Sequence, residues 1–433
     1  MEWLPVLITA VALYAAVALI IRQKGYFSEH IMFYGPIMAV KTMSVGFFDR
    51  FRKYSTFLRA YATFGVLMVI VISVVMTILL VLSLSYTFAV RPEPTGIYAP
   101  QNILLIPGLN EYVPSTLAVW LAFVVTIAIH EFGHGILSRV ENIRVRSMGA
   151  LLFVLPIGFF VEPDEEELSQ ARGMKKIRMF GAGITNNIVV GGLCFLALIL
   201  LMGLAAPAAG PVIGGVYQNY SAEQAGIPAY SLIHAVNGTS VSTPADVAAI
   251  LNSTRPGDTI TLTIGHQGVI SDYQLTLSEW PEELANRTTG FMGVTYYDPA
   301  LVLDTIKGSI SPIGFLRLLT VPFDIGGFGN PLRILALDTA AQEFYSVPWA
   351  GFFGIIHFLF WCGWINISVG LFNAIPMVPL DGGYILKEGV DRLFERRGIG
   401  RYSLYVVTFI STLMIVILFS LIMLPYLFSL TAV

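Results

Sequence analysis

The sequence predicts a polytopic α-helical membrane protein of about six transmembrane helices, with one small inserted extracytoplasmic β-rich domain. Three observations predict it. Hydrophobic residues make up 55% and charged residues 12% of the chain, and mean hydropathy is +0.73, whereas soluble domains carry about a quarter charged residues. Six apolar stretches approach or exceed the roughly 20 residues a helix needs to cross a bilayer. Lys and Arg gather in alternate loops, the pattern of cytoplasmic loops. The net charge of −3 gives no sign of a nucleic-acid partner.

The first stretch, Trp3–Ile21, has no basic region before it and no clear small-residue cleavage site after it. That favours a retained transmembrane helix over a signal peptide. The others are Phe64–Val90, Val113–Ile129 with its continuation, Met179–Leu204, Trp349 to about Phe372, and Tyr402–Phe428. A shorter run, Met148–Val161, contains Gly149, Pro156 and Gly158. It is too broken to span and is expected as a re-entrant hairpin packed against protein. Cys194 and Cys362 both lie in apolar runs and read as core cysteines.

Arg22, Lys24, Lys41, Arg50, Arg52, Lys53 and Arg59 make the first loop cytoplasmic. The next loop has only Arg91. Arg139, Arg144, Arg146, Lys175, Lys176 and Arg178 return the chain to the cytoplasm, as do Lys387, Arg392, Arg396, Arg397 and Arg401 later. The alternation fits six spans of a multi-pass cell-membrane protein, with both termini outside.

Five regions follow: 1–112, N-terminal helices and cytoplasmic loop; 113–208, a first membrane core; 209–297, the β-rich domain; 298–348, a connecting, interfacial segment; and 349–433, a second membrane core. The β-rich region falls outside the cell by this topology. It carries sequons at Asn219, Asn237, Asn252 and Asn286, which fit a non-cytoplasmic surface. Pro211–Tyr217 and Thr259–Ile264 read as strands, Val236-Asn237-Gly238 as a turn, and Pro244–Leu251 as a short helix with Pro in its first turn.

The third span contains His130-Glu131-Phe132-Gly133-His134. Histidines four apart project from one helix face, where one Zn²⁺ can take both rings. Glu131, on an adjacent face, can hold a water and take its proton. Ionisable residues in an apolar span are costly and need partners. A polar pair bridging two helices is the rival reading. A catalytic zinc usually takes a third protein ligand. His30, His234 and His266 lie in loops or in the β-rich domain. His357 and Asp381 stay open, with Asp381 the better placed. Pro376 and Pro379 break the helix before it, and Gly382-Gly383 permit close backbone approach. The competing reading places Asp381 in a solvated Pro-Gly loop.

Together, His130-Glu131-x-x-His134 and Asn373-x-x-Pro376-x-x-x-Leu380-Asp381-Gly382 resemble the paired motifs of the site-2 protease family of intramembrane zinc metalloproteases. The resemblance implies one Zn²⁺ per chain, ligated by His130, His134 and Asp381, with Glu131 as the catalytic carboxylate. Gly183-Ile184-Thr185-Asn186-Asn187 is similar to the family's G-P-x-x-N element, with Ile184 in place of proline. This implies a substrate or oxyanion role for Asn187, with Asn186 the confusable neighbour, and Asn373 belongs to the same expectation. Ser221–Ile227 and Leu232–Gly238 resemble a PDZ domain, although Tyr230-Ser231 replaces that family's Gly-Asp step. Peptide capture and size filtering are equally open for it.

The implied activity is hydrolysis of peptide bonds within transmembrane segments of membrane-anchored regulatory proteins, often already trimmed by another protease. The implied surroundings are membrane lipid; the sequence does not speak to oligomeric state. A metal transporter and a non-catalytic scaffold are the rivals. Zinc content and the Glu131→Gln variant separate them.

Overall fold

The computed structural model describes residues 3–27, 29–282, 287–323 and 330–431. The sequon at Asn286 lies outside the described residues. The chain runs through α1 (Trp3–Lys24), β1 (Ile31–Tyr34), β2 (Ile37–Thr42), α2 (Ser55–Val90), α3 (Leu117–Val140), β3 (Val145–Phe153), β4 (Leu155–Pro163), α4 (Glu165–Gln170) and α5 (Met174–Met202). Next come β5 (Ala206–Pro207), β6 (Val212–Val216), α6 (Ser221–Gln224), β7 (Ser231–Val236), β8 (Thr239–Ser240), α7 (Pro244–Leu251), β9 (Thr259–His266), β10 (Val269–Thr276) and β11 (Val294–Tyr297). It closes with α8 (Pro299–Lys307), α9 (Pro312–Thr320), β12 (Tyr345–Ser346), α10 (Phe352–Asn373), α11 (Asp381–Arg396) and α12 (Ser403–Thr431). Two compact units result: Met1–Gly192 with Cys362–Val433, and Leu193–Trp361.

Among the described residues, five helices are long and apolar enough to cross a membrane: Gly46–Val90, Leu117–Val140, Met174–Met202, Phe352–Asn373 and Gly400–Leu430. They cover five of the six expected spans. The sixth, Trp3–Ile21, lies within α1, which is helical over 22 residues.

In the first unit, β1 to β4 form an antiparallel sheet in the order β1-β2-β3-β4. The broken run Met148–Val161 is thus a β-hairpin, with Gly149 paired to Phe160 on one side and Lys41 on the other. Gly149 is required there, since a Cβ would collide with the Val40 carbonyl oxygen. The first loop, read from charge alone as a cytoplasmic connection, supplies β1 and β2. Helix packing carries the rest. Ile375 and Met377 meet Met414 and Ile417 of α12 in one buried cluster, and Ala62 of α2 meets Leu137 of α3 and Ala182 of α5 in another. Between membrane-spanning helices such contacts stabilise through close van der Waals packing, which small residues such as Ala62 and Ala182 permit.

In the second unit a six-stranded sheet runs β10-β9-β7-β6-β11, with β8 paired to β7. The expected turn is present: Asn237 (φ 50°) and Gly238 (φ 74°) both take positive φ, the requirement of a two-residue type I′ hairpin. The short helix begins at Pro244 as expected, with Thr243 and Asp246 closing a capping box. Hydrogen bonds from the Ser242 and Thr243 amides hold the Asp246 carboxyl below its ordinary range. Ile213, Ile233, Val247, Ile260 and Leu262 fill the core beneath the sheet.

Candidate metal centre

Thr116 caps α3, its side chain accepting from the Val119 amide. The helical spacing then stacks His130 and His134, with Nε2 atoms 3.2 Å apart. At the far end of the chain α10 stops at Asn373 and α11 restarts at Asp381. Pro376 and Pro379 fill the gap, where neither can continue a helix. Gly382 and Gly383 allow the restart to tuck against the broken stretch. A Cβ on Gly382 would stand 2.5 Å from the Ala374 carbonyl oxygen. Asp381 Oδ2 consequently lies 3.2 Å from the Nε2 atoms of both His130 and His134.

This triangle fits zinc. Bonds of about 2.0–2.1 Å in tetrahedral geometry put ligand atoms roughly 3.3 Å apart, and the three observed edges are each 3.2 Å. Two imidazoles and a carboxylate form a donor set used at catalytic zinc. Asp381 Oδ2 is buried without a hydrogen bond of acceptable geometry. A buried carboxylate oxygen left this way is costly, and a cation at the triangle's apex would satisfy it. Among the described residues, this is the one cluster of three or more such donors.

The outer nitrogens of the two rings are held from behind. His134 Nδ1 lies 2.9 Å from the Met179 carbonyl oxygen, so that nitrogen donates and Nε2 is left free for a metal. His130 Nδ1 lies 3.1 Å from Asn187 Nδ2, while Asn187 Oδ1 is buried without a partner. Turning the carboxamide over satisfies both atoms, with Oδ1 accepting from Nδ1–H. α5 can approach this closely because Gly183 carries no side chain. A Cβ there would stand 2.6 Å from His134 Nε2 and 2.7 Å from His130 Cε1.

Glu131 is not one of the three clustered donors and is held by the neighbouring sheet. Its Oε2 accepts from the Val161 amide of β4 at 3.2 Å, and β4 is the edge strand of its sheet. A cavity of about 300 Å³ opens over the face of this sheet, lined by Glu131 and Phe132 of α3, Val40 of β2, Met148 of β3, and Phe159 and Phe160 of β4. One carboxylate oxygen is thus positioned by backbone beside an apolar cleft.

The remaining candidates sit elsewhere. Asn373 donates to the Val369 carbonyl of its own helix, at 3.1 Å. Asn186 accepts from the Tyr61 hydroxyl at 3.0 Å and donates to the Ile129 carbonyl at 3.3 Å. His357 Nε2 lies 3.1 Å from the Ile334 carbonyl oxygen and outside the three-donor cluster. Sequence reasoning missed Met179 and Val161, which act through backbone atoms. It also missed Tyr61, whose helix carries no periodic polar signal.

Residues 118–418 match the family model for peptidase family M50. The chain belongs to this family. Among curated proteins, a Clostridium acetobutylicum protein provisionally named a zinc metalloprotease is 23% identical over 300 residues, 61% of this chain and 83% of its own. A Campylobacter jejuni protein named in the same terms is 22% identical over 342 residues, 68% of this chain and 88% of its own. The zinc metalloprotease RasP of Oceanobacillus iheyensis is 26% identical over 238 residues, 52% of each chain. A solved PDZ domain from Listeria monocytogenes covers 21% of this chain and 90% of its own at 19% identity, with a TM-score of 0.19; a score that low establishes no shared fold. This M50 peptidase is a zinc metalloprotease of the site-2 type, which removes the transporter and scaffold readings.

Proposed function

We propose that this M50 peptidase cleaves peptide bonds within transmembrane segments of membrane-anchored regulatory proteins, using zinc held by His130, His134 and Asp381. The observation that carries the reading is the 3.2 Å triangle of donors built between apolar helices. When bound, zinc supplies Lewis acidity toward water and the scissile carbonyl.

The chain's own residues do the rest. Glu131 takes a proton from the attacking water and delivers it to the leaving amine. Its bond to the Val161 amide keeps the carboxylate aimed through this cycle. Asn187, expected at the substrate, faces His130 instead, and we assign it to holding that ring. Asn373 keeps a substrate-side role only as a proposal, since its amide is directed to α10. The substrate must expose a carbonyl to reach the site, which calls for a locally unwound segment lying along the edge of β4.

The topology that accompanies this reading has α1 as a sixth span and places both termini and the PDZ-like domain outside the cell. The catalytic core is then 113–208 joined to 349–433, with 209–297 inserted. Loop charge supports that orientation. The substrate arrives already trimmed by another protease, and the PDZ-like domain either captures its new end or excludes larger proteins. The test is reconstitution of the full chain in vesicles with a panel of single-span substrates, with and without chelator. Chelator-sensitive cleavage inside the span supports the reading. Cleavage only in soluble loops sinks it.

A further inference from the structure

A cavity of about 600 Å³ lies where the N-terminus of α5 meets α11, within the range typical of ligand sites. Five bases line it: Arg172, Lys175, Lys176, Lys387 and Arg392. Three acids line it too, and each is already engaged. Glu388 accepts from the Gly173 amide and faces Lys176 Nζ at 3.8 Å. Asp391 pairs with Lys387 at 2.8 Å, and Glu395 with Arg172 at 3.5 Å. Lys175 and Arg392 are left without an anionic partner among the described residues. Arg392 is seated by Gly173, where a Cβ would stand 2.9 Å from Nη1.

Two further facts bear on what would fill the space. α5 directs the positive end of its dipole into the cavity. Charged residues on α5 end at Arg178, and the apolar run begins at Met179, one turn beyond Lys175. The cavity therefore stands at the depth where this span enters the bilayer, the level of lipid headgroups.

We propose that this cavity binds a phosphate-bearing anion, gripped by Lys175 and Arg392. The two surplus cations match the charge of about −1.5 to −2 on a phosphate monoester and outweigh the single charge of a phosphodiester headgroup, and guanidinium pairs with phosphate oxygens bidentately. The group comes either from an anionic phospholipid of the adjoining leaflet or from a soluble phosphate. Because α11 begins at Asp381, a ligand bridging α5 to α11 steadies the helix that carries the third donor of the metal triangle.

The test uses the full chain in nanodiscs and reads the thermal unfolding midpoint, which rises when a ligand binds the folded state. One arm titrates inorganic phosphate into phosphatidylcholine discs at constant ionic strength. The other compares phosphatidylcholine discs with discs containing phosphatidylglycerol. A rise in the first arm identifies a soluble phosphate, and a rise confined to the second identifies a headgroup. In either case the Lys175→Gln/Arg392→Gln double variant should need about tenfold more ligand for the same rise. Lys307→Gln, a base of the other unit, should respond as the wild type does. Each variant's midpoint in phosphatidylcholine without phosphate reports its folding, and the single Lys175→Gln variant serves if the double one does not fold. No rise in either arm, or an undiminished rise in the charge-depleted variant, overturns the proposal.

Discussion

Gly183 of α5 lies against the metal-facing edge of His134 of α3: a Cβ on the glycine would stand 2.6 Å from the ring's Nε2. The two helices meet at the metal triangle only because that side chain is missing. Gly183→Ala should therefore push both rings out of line, at an overpacking cost of about 1–3 kcal/mol. Zinc content of the purified variant should fall well below that of wild type. Gly389→Ala is the control, since nothing lies within 4 Å of a Cβ at that position. Full zinc in Gly183→Ala would show that the rings are not held where the structure puts them.

Asn187 gives a second prediction. If its carboxamide oxygen orients His130, Asn187→Ala should weaken zinc binding by about 10–100-fold, as outer-shell substitutions do. Competition with a chelator of known affinity measures this without any substrate. A variant with unchanged zinc affinity but a raised KM would return Asn187 to the substrate role first expected of it.

Glu131 makes no contribution to the triangle. Glu131→Gln should keep zinc at the wild-type level and lose cleavage, since a carboxamide cannot take the proton. Zinc quantitation and cleavage of a single-span substrate, run on the same preparation, check both halves.

Away from the site, Glu141 at the end of α3 is fully buried in its side chain, 2.8 Å from Arg178 of α5 and 3.5 Å from Arg59 of α2. Removing one partner of a buried pair leaves an uncompensated charge. Glu141→Ala should cost about 3 kcal/mol, read as a lowered unfolding midpoint in detergent. Arg59→Ala should cost less, because the Arg59 side chain is 40% exposed. Equal losses would mean the three helix ends are not joined through Glu141.

The parts of this protein that sequence revealed are those governed by short-range rules. Helical spacing stacked His130 on His134, and Pro376 and Pro379 announced the break before Asp381. Asn237-Gly238 marked its turn. The four-stranded sheet was not legible in the same way. β1 and β2 lie in a loop noticed only for its charge; β1 pairs with β2, and β2 pairs with β3 across about a hundred residues. Hydropathy read the Met148–Val161 run as a hairpin but could not say that strands would satisfy its backbone. The supports of the metal triangle were hidden for a related reason. Val161 and Met179 act through an amide and a carbonyl, which every residue possesses, so no side-chain pattern betrays them. Asn187 was visible through a motif resemblance that implied a substrate role, and its contact with His130, made by helix packing, was not.

Zinc stoichiometry of Asp381→Ala beside that of Glu131→Gln, each purified without added metal, addresses the three-donor site most directly. We expect about one zinc per chain in wild type and Glu131→Gln, and a near-complete loss in Asp381→Ala. Asp381→Ala retaining zinc at the wild-type level would contradict the assignment, for the two rings would then hold the ion with some other partner.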